Sequence, residues 1–392
     1  MSILLFVIYI VFISLGLPDS LFGVTWPVVH VEFGIPESFA SVYSIITGLC
    51  TGGVSFMAGK LIRRFGTGKV TLVSILLTAI GMLGISLSPN IIVMMICSIV
   101  LGYGAGAIDT GLNNYVSLHY EARHMNWLHC FWGVGVTISP MIMAQFLGGT
   151  IGSWRNGYQV VVLIQLAIAA LVLATLQKWD KTSDEDVVEE VAEASEKTTK
   201  EIFRIKGVGA SILTLGFYCG AEFLLGVWGA SFAINVFGVA PDVAARWVAL
   251  YYGGIMLGRM ISGFASMRMS DNALIRAGII ASAVGVLTLW LPIGSYALAG
   301  FFLIGLGFGP IFPSVIHSVP ERFGKAYSAD ITGYHMGGAY AVGFFVQLTF
   351  GYVAAATTFE IALYVLLALC AGMFVANQRA IKAVKKEESL SS

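Results

Sequence analysis

Apolar stretches of about 20 residues follow one another along nearly the whole chain, and each is long enough to cross a hydrocarbon core about 30 Å thick. Twelve spans are read, at 3–29, 37–60, 69–88, 90–118, 125–149, 157–177, 207–237, 243–266, 272–291, 294–318, 328–354 and 357–377. Turn signals such as Gly34-Ile35-Pro36, Ser88-Pro89-Asn90 and Ala240-Pro241-Asp242 separate them. The chain is 57% hydrophobic and 11% charged, where a soluble domain is about 25% charged. An all-α membrane protein is therefore expected. The first run lacks a basic segment before it and is too long for a signal-peptide core, so it counts as a span. The five cysteines lie scattered in apolar runs, without metal spacing, and read as small hydrophobes. Nothing in the charge pattern points to nucleic acid.

Basic residues orient the spans. With the N-terminus inside, 20 of the 22 Lys and Arg fall at cytoplasmic ends and loops, Arg259 among them, and only Arg155 and Arg246 fall outside. This asymmetry puts both termini in the cytoplasm, with the cell (plasma) membrane as the expected location. Trp26 and Trp154, near outer span ends, read as interfacial belt anchors. One long polar stretch, rich in Glu, Asp and Lys, divides the chain. The expected organisation is a six-helix half at 1–177, a charged cytoplasmic linker at 178–206, a second six-helix half at 207–378 and a cytoplasmic tail at 379–392.

The halves are related in sequence. Asp19 is followed four residues on by Gly23-Val24 and then Trp26, and Glu222 by Gly226-Val227 and then Trp228. The offset of 203 also maps Gly102, Gly104 and Gly106 onto Gly305, Gly307 and Gly309. A looser match sets Leu128-His129 against Tyr334-His335. Parallel repeats of this kind belong to transporters that bind substrate near the midplane at the repeat interface.

Three carboxylates lie deep in apolar runs: Asp19, Asp109 and Glu222. An ionisable side chain there costs about 2.5–3.5 kcal/mol on insertion scales, so it commonly faces a polar cavity and is functional. Asp109 and Asn113 are one helical turn apart and share a face. Burial disfavours the charged form of Asp109, the property a proton carrier needs. The alternative is a carboxyl permanently hydrogen-bonded between helices. Asp19 follows Pro18, which weakens the helix locally. It can accept hydroxyls, bind Na⁺ or pair with a cationic substrate. Glu222 can bind substrate from the second half or bridge two helices. His129 and Trp132 share a face of span five and offer a polar ring and a flat one, as a sugar requires. His335, Tyr251 and Gln347 are further substrate-binding candidates.

These residues resemble the major facilitator superfamily. The loop Gly59-Lys60-Leu61-Ile62-Arg63-Arg64-Phe65-Gly66-Thr67-Gly68-Lys69 is similar to that superfamily's signature, with Arg63 where an acid is usual. Gly258-Arg259 and Gly263 stand in the matching place of the second half. A narrower resemblance is to the fucose-permease-like sugar symporters and the sodium-dependent glucose transporters. It rests on Gly16-Leu17-Pro18-Asp19-Ser20-Leu21, on Gly106-Ala107-Ile108-Asp109-Thr110-Gly111-Leu112-Asn113, and on Asn126-Trp127-Leu128-His129-Cys130-Phe131-Trp132-Gly133. The resemblance implies a proton carrier at Asp109, a sugar contact at Asn113 and a polar sugar contact at His129.

No Walker loop, HExxH or GxSxG occurs, so an enzyme is not expected. The expected function is cation-coupled, proton-driven symport of a sugar or similar polyhydroxylated molecule by alternating access. Proton/cation coupling is assigned to Asp109, Asp19 and Glu222, with Na⁺ as the other coupling ion. No cofactor, metal or partner beyond substrate and lipid is called for, and a monomer is expected. A proton-driven exporter of drugs or metabolites and a non-transporting sensor remain open at this point.

Overall fold

The computed structural model describes residues 3–120, 122–150, 152–179, 199–291, 294–324 and 328–391. The expected linker falls largely on 180–198, outside the described residues, as do the side chains of Arg63, Thr110 and Asn126. The described chain is helical throughout its long elements. In order these are α1 (Ile3–Asp19), α2 (Leu21–Glu32), α3 (Phe39–Phe65), α4 (Thr67–Leu87), α5 (Ile91–His119), α6 (Ala122–Leu147) and α7 (Trp154–Ala174). The second set is α8 (Val208–Phe237), α9 (Pro241–Ala265), α10 (Asp271–Thr288), α11 (Gly294–Phe308), α12 (Ile311–His317), α13 (Ser328–Ala356) and α14 (Ile361–Ser391).

Taking α1 with α2 and α11 with α12, the order matches the twelve expected spans. Among the described residues ten helical stretches are long and apolar enough to cross a membrane. The other two are α3, whose described apolar part is Phe39–Ser55, and α9, which carries Asp242, Arg246 and Arg259. α3 stops at Gly66 (φ 81°) and the chain after α8 turns at Gly238 (φ 65°), backbone that a side chain would strain. α14 continues past the expected span end at 377 to Ser391.

Two compact units result: Met1–Val191 with Val227–Tyr252, and Ala192–Gly226 with Gly253–Ser392. In the first, α1 is the central element. Leu5, Ile8, Val11, Phe12 and Leu15 are buried against Ile108, Leu112 and Tyr115 of α5 and Ile168 and Val172 of α7. In the second, Val208 and Ile212 of α8 pack with Val319, Phe323 and Ile331.

The first expected span is interrupted at Ser20, and proline chemistry explains how the break is tolerated. Pro18 has no N–H for the carbonyl of Ser14, and in lipid an unsatisfied carbonyl is costly. Gln165 of α7 fills the gap, its Nε2 donating to Ser14 O at 2.7 Å. The Ser14 hydroxyl donates back to Gln165 Oε1. Pro140 in α6 likewise orphans Val136 O, which accepts from Ser20 Oγ at 2.9 Å. Ser20 Oγ also lies 2.7 Å from Ser139 Oγ.

Two expectations are corrected here. Trp26 and Trp154 are not belt anchors: both are buried, and their indole N–H groups donate to Glu37 O and Glu32 Oε2, each at 2.7 Å. Arg259 is not an inner-end cation: it sits six residues inside α9 with its side chain 10% exposed, paired to Glu222. A hydropathy profile cannot distinguish an interfacial Trp or Arg from one whose polar tip meets a partner inside the fold.

Candidate functional site

The polar groups expected to work on substrate and ion collect separately in the two units. In the first unit α1 and α6 run parallel and cross with backbones in contact. A Cβ on Gly16 would collide with the Trp132 carbonyl, and one on Gly135 with the Ile13 carbonyl. Only glycine at both positions allows this approach. The crossing brings Asp19, at the end of α1, to Trp132, whose indole N–H donates to Asp19 Oδ2 at 2.8 Å. Asp19 is exposed, unlike the buried residues before it on α1. Seven residues earlier on α1, Phe12 meets the half-buried His129 ring edge-on at 6.0 Å. His129 and Trp132 therefore both face α1. Tyr252 of α9 packs perpendicular to Trp132, with ring centroids 6.4 Å apart, and neighbours the buried Tyr251.

Asp109 and Asn113 occupy α5, one turn apart as expected. Asn113 Nδ2 donates to Asp109 Oδ1 at 2.8 Å and to Asp109 O at 2.9 Å, so the amide clasps its own acid. Asn113 Oδ1 is buried with no hydrogen-bond partner among the described residues. A parallel seam with α3 holds this stretch of α5. Thr51 Oγ1 donates to Gly102 O and Ser55 Oγ to Gly106 O, both at 3.2 Å, while each also bonds back along α3. A Cβ on Gly102 would meet Thr47 O at 2.6 Å, and one on Gly106 would collide with Thr51 O.

In the second unit Glu222 of α8 is buried, with Arg259 Nη2 of α9 3.9 Å from its Oε1. Arg259 donates to Tyr218 Oη at 3.5 Å, one turn before Glu222. Gln347 of α13 donates to Phe223 O at 3.3 Å, beside Glu222. His335 is fully buried on α13. Its Nδ1 lies 2.8 Å from Ile331 O and its Nε2 2.9 Å from Ser211 Oγ, so both ring nitrogens are engaged by protein. The 203-residue offset that relates Asp19 to Glu222 relates Trp132, rather than His129, to His335. The same offset relates Thr51 and Ser55 of the α3 seam to Gly254 and Gly258. Those glycines pack against the Phe302 and Leu306 carbonyls in the α9–α11 seam. Thus the repeat is visible in packing as well as in sequence.

Arg259 and Tyr218 are the neighbours of Glu222 that the sequence did not single out. The signal was available: Tyr218 lies four residues before Glu222, and a deep carboxylate calls for a donor at helical spacing.

Paired helices, a repeated glycine seam and acids buried in apolar spans are transporter architecture. The sequence profile of the Major Facilitator Superfamily matches residues 8–348. This chain belongs to that superfamily. It has the major facilitator fold, and its family and the relatives named below are membrane transporters, not enzymes. Among its relatives is a glucose/galactose transporter of Brucella abortus, 25% identical over 283 residues, covering 67% of this chain and 66% of the relative. The chain thus spans just under two thirds of that protein's length. The glucose/mannose transporter GlcP of Bacillus subtilis is 21% identical over 79% of this chain and 77% of its own. Among solved structures, a D-xylose–proton symporter superposes with TM-score 0.75 at 14% identity, covering 95% of both chains. FucP in its outward conformation gives 0.67 at 14% identity, over 97% of this chain and 99% of FucP. At these identities the solved structures speak for the fold alone.

Proposed function

We propose that this superfamily transporter moves a hexose or similar polyol across the plasma membrane by cation-coupled symport, with both termini cytoplasmic. The observation that carries the reading is the Asp109–Asn113 clasp: an acid in an apolar span, held at 2.8 Å by an amide one turn on. The amide gives the carboxyl a fixed donor, and the apolar helix around it opposes a standing charge. Such an acid exchanges a proton when its surroundings change between the two sides of the membrane. The names of the relatives, which move glucose, galactose or mannose, support the sugar. Asp19 and Trp132 suit it chemically, the carboxylate accepting hydroxyls and the ring meeting an apolar sugar face. The halves at 1–177 and 207–378 would be the moving bodies of alternating access.

Purified protein in liposomes tests this. Wild type should concentrate glucose or galactose when a proton gradient is imposed. Asp109→Asn should lose that accumulation yet still exchange labelled for unlabelled sugar. Full accumulation by Asp109→Asn would remove the proton from this residue. Sugar-induced pH change at two Na⁺ concentrations separates H⁺ from Na⁺ coupling.

A further inference from the structure

Asp19 and Glu222 hold repeat-related positions, yet their surroundings differ. Asp19 is exposed and accepts from a neutral indole. Glu222 is buried beside a guanidinium, whose Nη2 lies 3.9 Å from Oε1 and 3.5 Å from Tyr218 Oη. Backbone packing dictates where that guanidinium starts. Gly258 lies against the Leu306 carbonyl, and a Cβ on Gly309 would meet Arg259 N at 2.6 Å. The α9–α11 crossing therefore fixes the residue's main chain, and its side chain reaches to α8. Phe308 and Phe312 close around Tyr218, with ring centroids at 5.5 and 6.3 Å.

Arginine keeps its proton in any protein environment. Protonating Glu222 would remove the carboxylate charge 3.9 Å from the largely buried Arg259 guanidinium, and breaking a buried pair on one side is costly. We infer that Glu222 and Arg259 form a permanently ionised, self-neutralising pair that fixes α8 against α9, so that Glu222 does not carry the coupling ion. Coupling is then left to Asp109 and Asp19 in the first unit. The part concerning coupling rests on the symport reading above; the pairing does not.

Thermal unfolding of the purified protein in detergent tests the pairing without any transport. Glu222→Gln and Arg259→Gln should each lower Tm by roughly 5–10 °C, and the double variant should regain at least half of that loss. Arg259→Lys should fall between wild type and Arg259→Gln. Additive losses in the double variant, or a wild-type Tm for Glu222→Gln, would overturn the pairing. If a single variant does not fold, monodisperse protein recovered from the double variant supports the pairing, and a double variant that also fails to fold overturns it. For coupling, the double variant in liposomes should keep the wild-type ratio of protons to sugar moved, even where its rate of uptake falls. A thermally restored double variant that exchanges sugar but no longer accumulates it would assign the coupling ion to Glu222. Should wild type itself move neither sugar, the symport reading fails and the thermal cycle still decides the pair.

Discussion

Trp132 brings two separable groups to Asp19, a flat ring and an N–H donor. Trp132→Phe keeps most of the ring and removes the N–H that reaches Asp19 Oδ2. A hydrogen bond to a charged group contributes about 1.5–3 kcal/mol, so apparent KM for sugar should rise roughly 10–100-fold. Initial uptake rates against sugar concentration check this. An unchanged KM would mean that the indole N–H does not shape the binding form of Asp19. The residues differ in how much the sequence discloses. Asp109 and Asn113 were readable as a pair because one helical turn joins them. Asp19 and Trp132 were readable only as separate candidates, since they meet through a glycine crossing that periodicity does not encode. His335 was visible as a buried polar residue, but its partner Ser211 lies 124 residues away.

At the scale of elements, helix existence and order were legible because lipid leaves the backbone few alternatives. The break at Ser20 was only half legible. Pro18 announces a missing donor, but nothing local says that Gln165 replaces it. That relation makes a sharp prediction. Gln165→Leu strands the Ser14 carbonyl in the core of the first unit, at about 1–3 kcal/mol. Pro18→Ala restores an N–H that can bond Ser14 O within α1. Gln165→Leu should therefore lower Tm in the wild-type background and do so by clearly less in Pro18→Ala. Equal losses in the two backgrounds would show that Gln165 acts by packing rather than by serving the orphaned carbonyl.

For the whole molecule, the expected charge asymmetry survives once ion pairs are considered. Removing Arg259, which Glu222 neutralises, leaves 19 basic residues for the inner side against two for the outer. Both outer cations are also matched: Arg155 meets Glu32 at 2.5 Å, and Arg246 meets Asp242 at 3.4 Å. Arg155 further donates to Ser88 O and lies 4.4 Å from the centre of the Trp154 ring. The two exceptions to the positive-inside pattern thus carry their own counter-ions. Each further unmatched cation moved outward would oppose a membrane potential worth about 2.3 kcal/mol per charge per 100 mV. We therefore propose a single orientation, with the turn at 238–240 outside and the end of α14 inside. In a background with the five cysteines replaced, Ala240→Cys should react with an impermeant maleimide on intact cells. Lys382→Cys, exposed on α14, should react only after the membrane is opened. The opposite pattern would reverse the topology, and labelling of both sites on intact cells would rule out one fixed orientation.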